Sequence, residues 1–374
     1  MKITISPDSF KGSLTAKEAS HMIEKGCQLA APSAKLTKIP MADGGEGTVD
    51  ALVYATNGKY LSYEVTGPLG GLVIAPMGIS GVNNVALIEV ANVCGLMQVP
   101  TDQQNPLYTT SYGLGEMILK GVDAGYRQML VGLGGSATND GGLGMLQALG
   151  AKFYDQNGQE VGPFGEDIIN VEKVDFSTLD ERLKHCDIKV ASDVENPLCG
   201  EHGASYVFGP QKGASAMVVK QLDEALEHHS TVVEQAVGKS LKNSKGAGAA
   251  GGLGFALMAI GGKLTSGAEL VGDVAQLEEE IKTSQLVITG EGQSDFQTFY
   301  GKAPGYVGKL AQKHNVPCVL ISGAIDDDEG QLRELFTGVF SITNKPMSLD
   351  ECIEKAGQLL IQATANVVQL LIEK

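Results

Sequence analysis

The chain has 374 residues, more than one hydrophobic core usually supports, and its 43% hydrophobic and 19% charged content is that of an ordered globular protein. A formal charge of −16 argues against nucleic acid or an acidic membrane as a broad-surface partner, although a metal ion and a few lysines can reverse the sign locally around an anionic small molecule. The six cysteines are widely spaced without a CxxC pair, no apolar run reaches about 18 residues, and the start, MKITISPDSFKGS, lacks the apolar stretch of a signal peptide, so the expectation is a soluble, cytoplasmic protein.

In chain order, residues 2–6 read as a strand, and Thr15-Ala-Lys-Glu18 is a capping box opening a helix to about Ala30. A second strand is expected at 35–39 and a second helix at 46–56. Residues 60–66, 73–77 and 85–90 follow one another without helices, which predicts antiparallel pairing. Further strands are expected at 128–133 and 187–191. The last third returns to strand and helix, with buried strands at 285–289, 317–322 and 338–342 and helices at 303–314, 328–336 and 349–373, the last opened by the capping box Ser348-Leu-Asp-Glu351. The two ends together make five βα units, enough for one doubly wound parallel sheet. The expected organisation is therefore an α/β domain from 1–60 and 285–374, interrupted by a second α/β domain at 61–284, with a substrate site in the cleft between them.

The 49 glycines are nearly twice the usual share and are clustered, several with Asp, Asn, Ser or Lys. Short turns account for part of this excess; close approach to a ligand would account for the rest. Pro7-Asp-Ser-Phe-Lys-Gly-Ser13 and Ala42-Asp-Gly-Gly-Glu-Gly-Thr48 each follow a strand of the expected parallel sheet, where ligands bind. Gly132-Leu-Gly-Gly-Ser-Ala-Thr-Asn-Asp-Gly-Gly142 joins a strand to a helix, and its backbone N–H groups could wrap phosphate, with Asn139 or Asp140 on Mg²⁺ or a hydroxyl. It is not a GxxxxGK[ST] loop. Asp193 and Asn196 follow another strand, and Lys212 stands in a tight turn that suits a phosphate contact or plain solvation equally. Gly246-Ala-Gly-Ala-Ala-Gly251 matches GxGxxG, but the polar LKNSK before it is no dinucleotide-binding strand. The segment from Thr289 to Lys302 packs Glu291, Asp295, Gln297, Thr298 and Lys302 into one loop after a buried strand.

Taken in order, PDSFKGSL, ADGGEGTVDAL, VTGPLG, GGSATNDGG, SDVENPLCG, VFGPQKGA, GAGAAGGLG, and ITGEG with DxQT and GKAP resemble the bacterial glycerate kinase family, of the glycerate 2-kinase type, over nearly the whole chain. The resemblance implies transfer of phosphate from ATP to D-glycerate with Mg²⁺, 2-phosphoglycerate being the favoured product. It also implies a flavodoxin-like domain interrupted by one related to the restriction-endonuclease fold. Two departures stand out: Gln293 replaces a frequent basic residue, and Leu114 replaces a frequent Thr.

On this reading Asp8, Ser9, Lys11, Asp43, Gly44, Gly45, Glu46, Gln297 and Thr298 hold the substrate. Gly134, Gly135, Ser136, Asn139, Asp140, Lys212, Gly248 and Gly251 hold the nucleotide, and Asp193 and Asp140 the metal. Lys11 assists catalysis, and Asp193 or Asp295, ahead of Asp8, accepts the substrate proton. The rivals are a kinase of another small hydroxy acid, a nicotinamide-dependent hydroxy-acid oxidoreductase and a non-catalytic ligand sensor. The oligomeric state stays open, a homodimer included.

Overall fold

The computed structural model describes residues 1–300, 302–327 and 330–372. Gly301 of the GKAP segment, the expected helix start at Asp328 and Glu329, and the expected helix end at Glu373 lie outside the described residues. The principal elements begin with β1 (Lys2–Ile5), α1 (Ala16–Ala30), β2 (Lys35–Lys38) and α2 (Thr48–Ala55). Next come β3 (Lys59–Thr66), β4 (Leu72–Ile79), β5 (Ala86–Glu89), α3 (Tyr112–Asp123), β6 (Gln128–Gly132) and α4 (Leu143–Ala148). They are followed by β7 (Asp187–Ala191), α5 (Ala216–Val237), α6 (Ala249–Ala259), β8 (Lys263–Thr265), α7 (Gly267–Val274) and α8 (Leu277–Lys282). The chain closes with β9 (Leu286–Thr289), α9 (Ala303–Lys313), β10 (Cys318–Ser322), α10 (Leu332–Leu335), β11 (Gly338–Ser341) and α11 (Leu349–Ile372).

The chain divides into two compact units, one of residues 1–43, 50–58 and 267–374, the other of 44–49 and 59–266. The first unit holds a five-stranded sheet, all parallel, in the order β11-β10-β9-β1-β2. Its central strands β9 and β10 are buried at every position, as parallel strands covered on both faces must be. Ile3, Ile5, Leu286, Ile288, Val319 and Ile321 share one core cluster with Ile23 of α1 and Leu360 and Val368 of α11. The alternating residues, Val287 and Leu320 among them, turn to the opposite face, where α9 packs on β9 and β10. The edge strand β2, with the sequence KLTK, carries an exposed Lys35 and a largely covered Lys38 that pairs with Glu24 of α1, and charged residues on an edge strand are a usual protection against edge-to-edge pairing. Both expected caps are present: Thr15 and Glu18 bond each other's backbone at the start of α1, and Ser348 Oγ accepts from Glu351 N before α11.

The second unit is built on a six-stranded sheet in the order β8-β7-β6-β5-β4-β3. β3, β4 and β5 pair antiparallel, as their helix-free spacing predicts, and β5, β6, β7 and β8 pair parallel. The unit boundaries differ from the expected 61–284. Residues 44–49 group with the second unit because Gly47 N and Val49 N donate to Glu89 at the end of β5, at 2.9 and 3.1 Å. Residues 267–284 group with the first, where α7 lies so close to α9 that a Cβ on Gly272 would stand 2.5 Å from the Tyr306 ring.

Left-handed backbone at Ala250, Gly251 and Gly252 interrupts α6 near its start. Gly251 has φ +72°, and a Cβ there would stand 2.0 Å from Thr138 O. Gly158 has a similar φ of +75° but open space around it. Gly158→Ala should therefore cost about 1 kcal/mol and Gly251→Ala on the order of 3 kcal/mol or more. Equal urea midpoints for the two variants would show that the close packing at Gly251 relaxes freely.

Candidate active site

The order of the five-stranded sheet reverses between β1 and β9, so the loops after these strands diverge and open a crevice at their carboxyl ends. A cavity of 520 Å³ lies there, within the first unit. The loop after β1 supplies Asp8, Ser9 and Lys11; the residue five beyond β2 is Asp43; the loop after β9 supplies Glu291, Gln293, Asp295 and Lys302. Backbone bonds fix the frame: Asp8 N donates to Gly290 O and Met41 N to Pro7 O, both at 2.8 Å. Phe10 turns its ring into the core and bonds Leu14 through its backbone, which anchors the loop and leaves Asp8 and Lys11 on the cavity wall.

Asp8 is only 8% exposed. Burial, then the charge of Asp43, and to a smaller extent that of Glu291, push its carboxyl up to about 7 against the opposing effect of Ser9 N, which donates to Oδ1 at 2.6 Å. Glu291 is buried too and raised by that burial, while Thr298 Oγ1 and Ser294 Oγ donate to its Oε1 at 2.6 and 2.9 Å and hold the opposite way. Ser294 Oγ lies 2.7 Å from Ser322 Oγ, so the acid sits on a chain of buried hydroxyls. Two lysines face these acids in loose pairs, Lys11 Nζ with Asp43 Oδ2 at 3.5 Å and Lys302 Nζ with Asp295 Oδ1 at 3.4 Å. Such half-exposed pairs are each worth at most about 1 kcal/mol, so an anionic ligand can compete for either lysine. The site thus offers a carboxyl that titrates near neutrality, two cations for an anion, and hard oxygen donors. Among the described residues no group of three or more His, Cys, Asp or Glu forms a metal cage. That donor set fits Mg²⁺, which is usually held by one or two carboxylates together with substrate phosphates.

A family model described as the glycerate kinase family matches residues 3–372. The chain belongs to the glycerate kinase family. It is 47% identical over 373 residues to a protein named glycerate 2-kinase from Escherichia coli K12, covering 99% of this chain and 98% of that one. It is 44% identical over 367 residues to a glycerate kinase from Halalkalibacterium halodurans, covering 98% and 97%. A crystal structure from Salmonella typhimurium LT2, of a chain assigned the name glycerate kinase 2, superposes with a TM-score of 0.89 at 43% identity, covering 100% and 98%.

Of the residues that the family resemblance marks for substrate, Asp8, Ser9, Lys11 and Asp43 line the cavity together, and Asp295, marked for catalysis, lines it too. Gln297 and Thr298 do not line it; Gln297 is exposed, and the Thr298 hydroxyl is occupied by Glu291 and by Asp295 N. Gly44, Gly45 and Glu46 belong to the second unit. There a Cβ on Gly134 would stand 2.4 Å from Gly45 Cα, one on Gly248 would stand 2.3 Å from Pro197 O, and Gly135 is exposed. Lys212 is buried, not solvated; its Nζ donates to Ser136 Oγ at 2.9 Å and Thr138 O at 2.7 Å, and burial lowers it to about 8. Asp140 is fully buried, and its two oxygens accept from the Ser111 hydroxyl and from Ser111 N, Gly142 N and Gly144 N, which makes it the organiser of its own loop. Asn139 Nδ2 donates to Ser205 Oγ, and Asp193 is exposed beyond β7. Glu291 and Lys302 line the cavity too; the sequence marked them as part of a polar loop but gave them no role in the site. The signal was the polar density between Thr289 and Lys302, which does not say which side chains turn inward. Of the two departures from the family pattern, Gln293 lines the cavity, while Leu114 is a fully buried core residue of α3.

Because the Asp8 carboxyl is raised in the folded state, the native protein holds a proton that the unfolded chain has lost between about pH 4 and pH 7. Asp8 therefore costs no stability below pH 4, costs progressively more up to pH 7, and costs its full amount above that. Each ten-fold change in proton affinity between the folded and unfolded chain is worth about 1.4 kcal/mol. Asp8→Asn, which keeps the acceptor for Ser9 N, should therefore raise stability at pH 8 by up to a few kcal/mol. The gain should vanish near pH 4. A thermal melting difference independent of pH would overturn this assignment.

Proposed function

We propose that the protein transfers the γ-phosphoryl group of ATP, with Mg²⁺, to a hydroxyl of D-glycerate, the 2-hydroxyl favoured. The observation that carries the proposal is a buried carboxyl raised to about 7 that shares one cavity with two lysines at the switch point of a parallel sheet, in a chain matching the glycerate kinase family from 3 to 372. The strand order agrees with the flavodoxin-like arrangement that the family resemblance implies.

In this reading the glycerate carboxylate displaces Asp43 or Asp295 as the partner of a lysine and is fixed in place. Asp8 accepts the proton of the attacking hydroxyl as the new oxygen–phosphorus bond forms and the bond to the ADP oxygen breaks. A base works best with a pKa near the working pH; this supports Asp8 for that role over Asp295, which is paired with Lys302, and over the exposed Asp193. The lysine that does not hold the glycerate carboxylate neutralises charge on the transferring group, the main source of catalysis in phosphoryl transfer. Asp43 and Asp295 would hold the Mg²⁺, which when bound supplies charge neutralisation on the phosphates.

ADP release from Mg²⁺–ATP, with D-glycerate, L-glycerate or no acceptor, tests the activity, and phosphorus NMR identifies the product. D-glycerate-dependent release is expected; its absence would remove the proposed acceptor. The rate should climb with pH through about 7 as Asp8 loses its proton. Asp8→Asn should lower kcat by a factor of about 10²–10⁴ and abolish that climb. Near-normal turnover in Asp8→Asn would return the role to another aspartate.

A further inference from the structure

The cavity of the first unit has two unlike walls. One carries Asp8, Lys11, Asp43, Asp295 and Lys302. The other is formed by Ile342 and Thr343 after β11 and by Leu349, Cys352, Ile353 and Ala356 of α11. The four α11 residues recur at i, i+3, i+4 and i+7, so they share one helix face. Ile353 is 40% exposed and Leu349 is 74% exposed, a large apolar surface to leave beside charged groups in a concave site.

Glycerate does not account for that wall. It carries polar groups on every carbon and has no flat apolar face. It also displaces only three or four waters' worth of space, roughly 100 Å³. The 520 Å³ cavity is instead of the size that takes a larger ligand, for which pockets run from about 300 to 1,000 Å³. Most of the cavity is therefore left beside a bound glycerate, and its lining there includes the apolar face of α11, with Thr343, Lys11 and Lys302 also on the cavity surface.

We propose that this apolar wall is the base subsite of the phosphoryl donor, taking the purine face of a nucleoside triphosphate against Leu349 and Ile353 while the phosphates run toward Lys11 and Lys302. The inference rests on the kinase reading above. It departs from the sequence-based expectation that the donor's contacts come from the glycine loops of the second unit. A purine ring has apolar faces and polar edges, which suits a cavity lined on the α11 side by exposed Leu349 and Ile353 and elsewhere by charged groups.

The chain contains no tryptophan, so Leu349→Trp at the rim provides a single fluorophore. Its emission should change on titration with ADP and Mg²⁺ and not with tripolyphosphate, which carries the phosphates without the base. Ile353→Asp, at a partly exposed position that tolerates a polar side chain, should weaken ADP binding at least about ten-fold and leave the KM for glycerate nearly unchanged. An equal response to tripolyphosphate would overturn the subsite, as would wild-type ADP affinity in a folded Ile353→Asp protein or a signal from glycerate alone. Failure of the acceptor reading looks different: ADP binding would follow the expected pattern while D-glycerate gave no turnover. Normal D-glycerate turnover with unchanged ADP affinity in Ile353→Asp would leave the function standing and remove the subsite.

Discussion

The parallel pairing of β1 with β9 is the contact on which the first unit depends. Ile3, Thr4 and Ile5 lie beside Leu286, Val287 and Ile288, which are 283 positions further along the chain. Closing so long a loop is costly, but the cost grows only logarithmically with length. It is met by strands whose side chains are almost wholly removed from water. Because β1 also pairs with β2, the pairing puts the switch point of the sheet between the first strand of the chain and a strand from its last third. Asp8, Asp43 and Glu291 then arrive at one edge from three separate segments, with no need for sequence proximity.

Two buried aspartates show how environment divides structural from chemical roles. Asp140 is removed from water in the second unit, yet four donors from Ser111, Gly142 and Gly144 satisfy its oxygens. Burial raises its pKa, but the carboxylate works as the hub of a loop. Asp8 receives one backbone donor, from Ser9, and has Asp43 and Glu291 as like-charged neighbours. An acid in these surroundings lowers the stability of the fold at neutral pH, and such a cost is the kind accepted where a side chain serves chemistry, the role proposed for Asp8.

The glycine-rich loops of the second unit gain a physical explanation from their packing. Gly134, Gly248 and Gly251 each lie where a Cβ would strike backbone within 2.4 Å. Lys212 ties the same loop together from inside, through Ser136 and the Thr138 carbonyl. Glycine clusters that read as phosphate cradles in a sequence can thus be required by the approach of one loop to another. In the first unit the charged cavity uses few glycines and many carboxylates.

The amino-acid sequence by itself determined the local elements and the family. Short apolar runs rich in β-branched residues, such as LVIT and CVLIS, read as buried strands, Thr15 to Glu18 reads as a helix cap, and the ordered motifs run from one end of the chain to the other. It also brought Asp8, Lys11, Asp43 and Asp295 to attention, because polar residues in loops after buried strands have little structural need to be there. Tertiary structure alone decided which of those loop residues share a cavity. Glu291 and Thr298 are seven residues apart in one polar segment, yet Glu291 lines the cavity and the Thr298 hydroxyl serves it from behind. The same holds for Lys212, which a turn sequence leaves ambiguous and packing buries, and for Leu114, which motif comparison marks as a departure and the core claims. Loop composition carries no record of side-chain direction, which is set by contacts with segments hundreds of residues away.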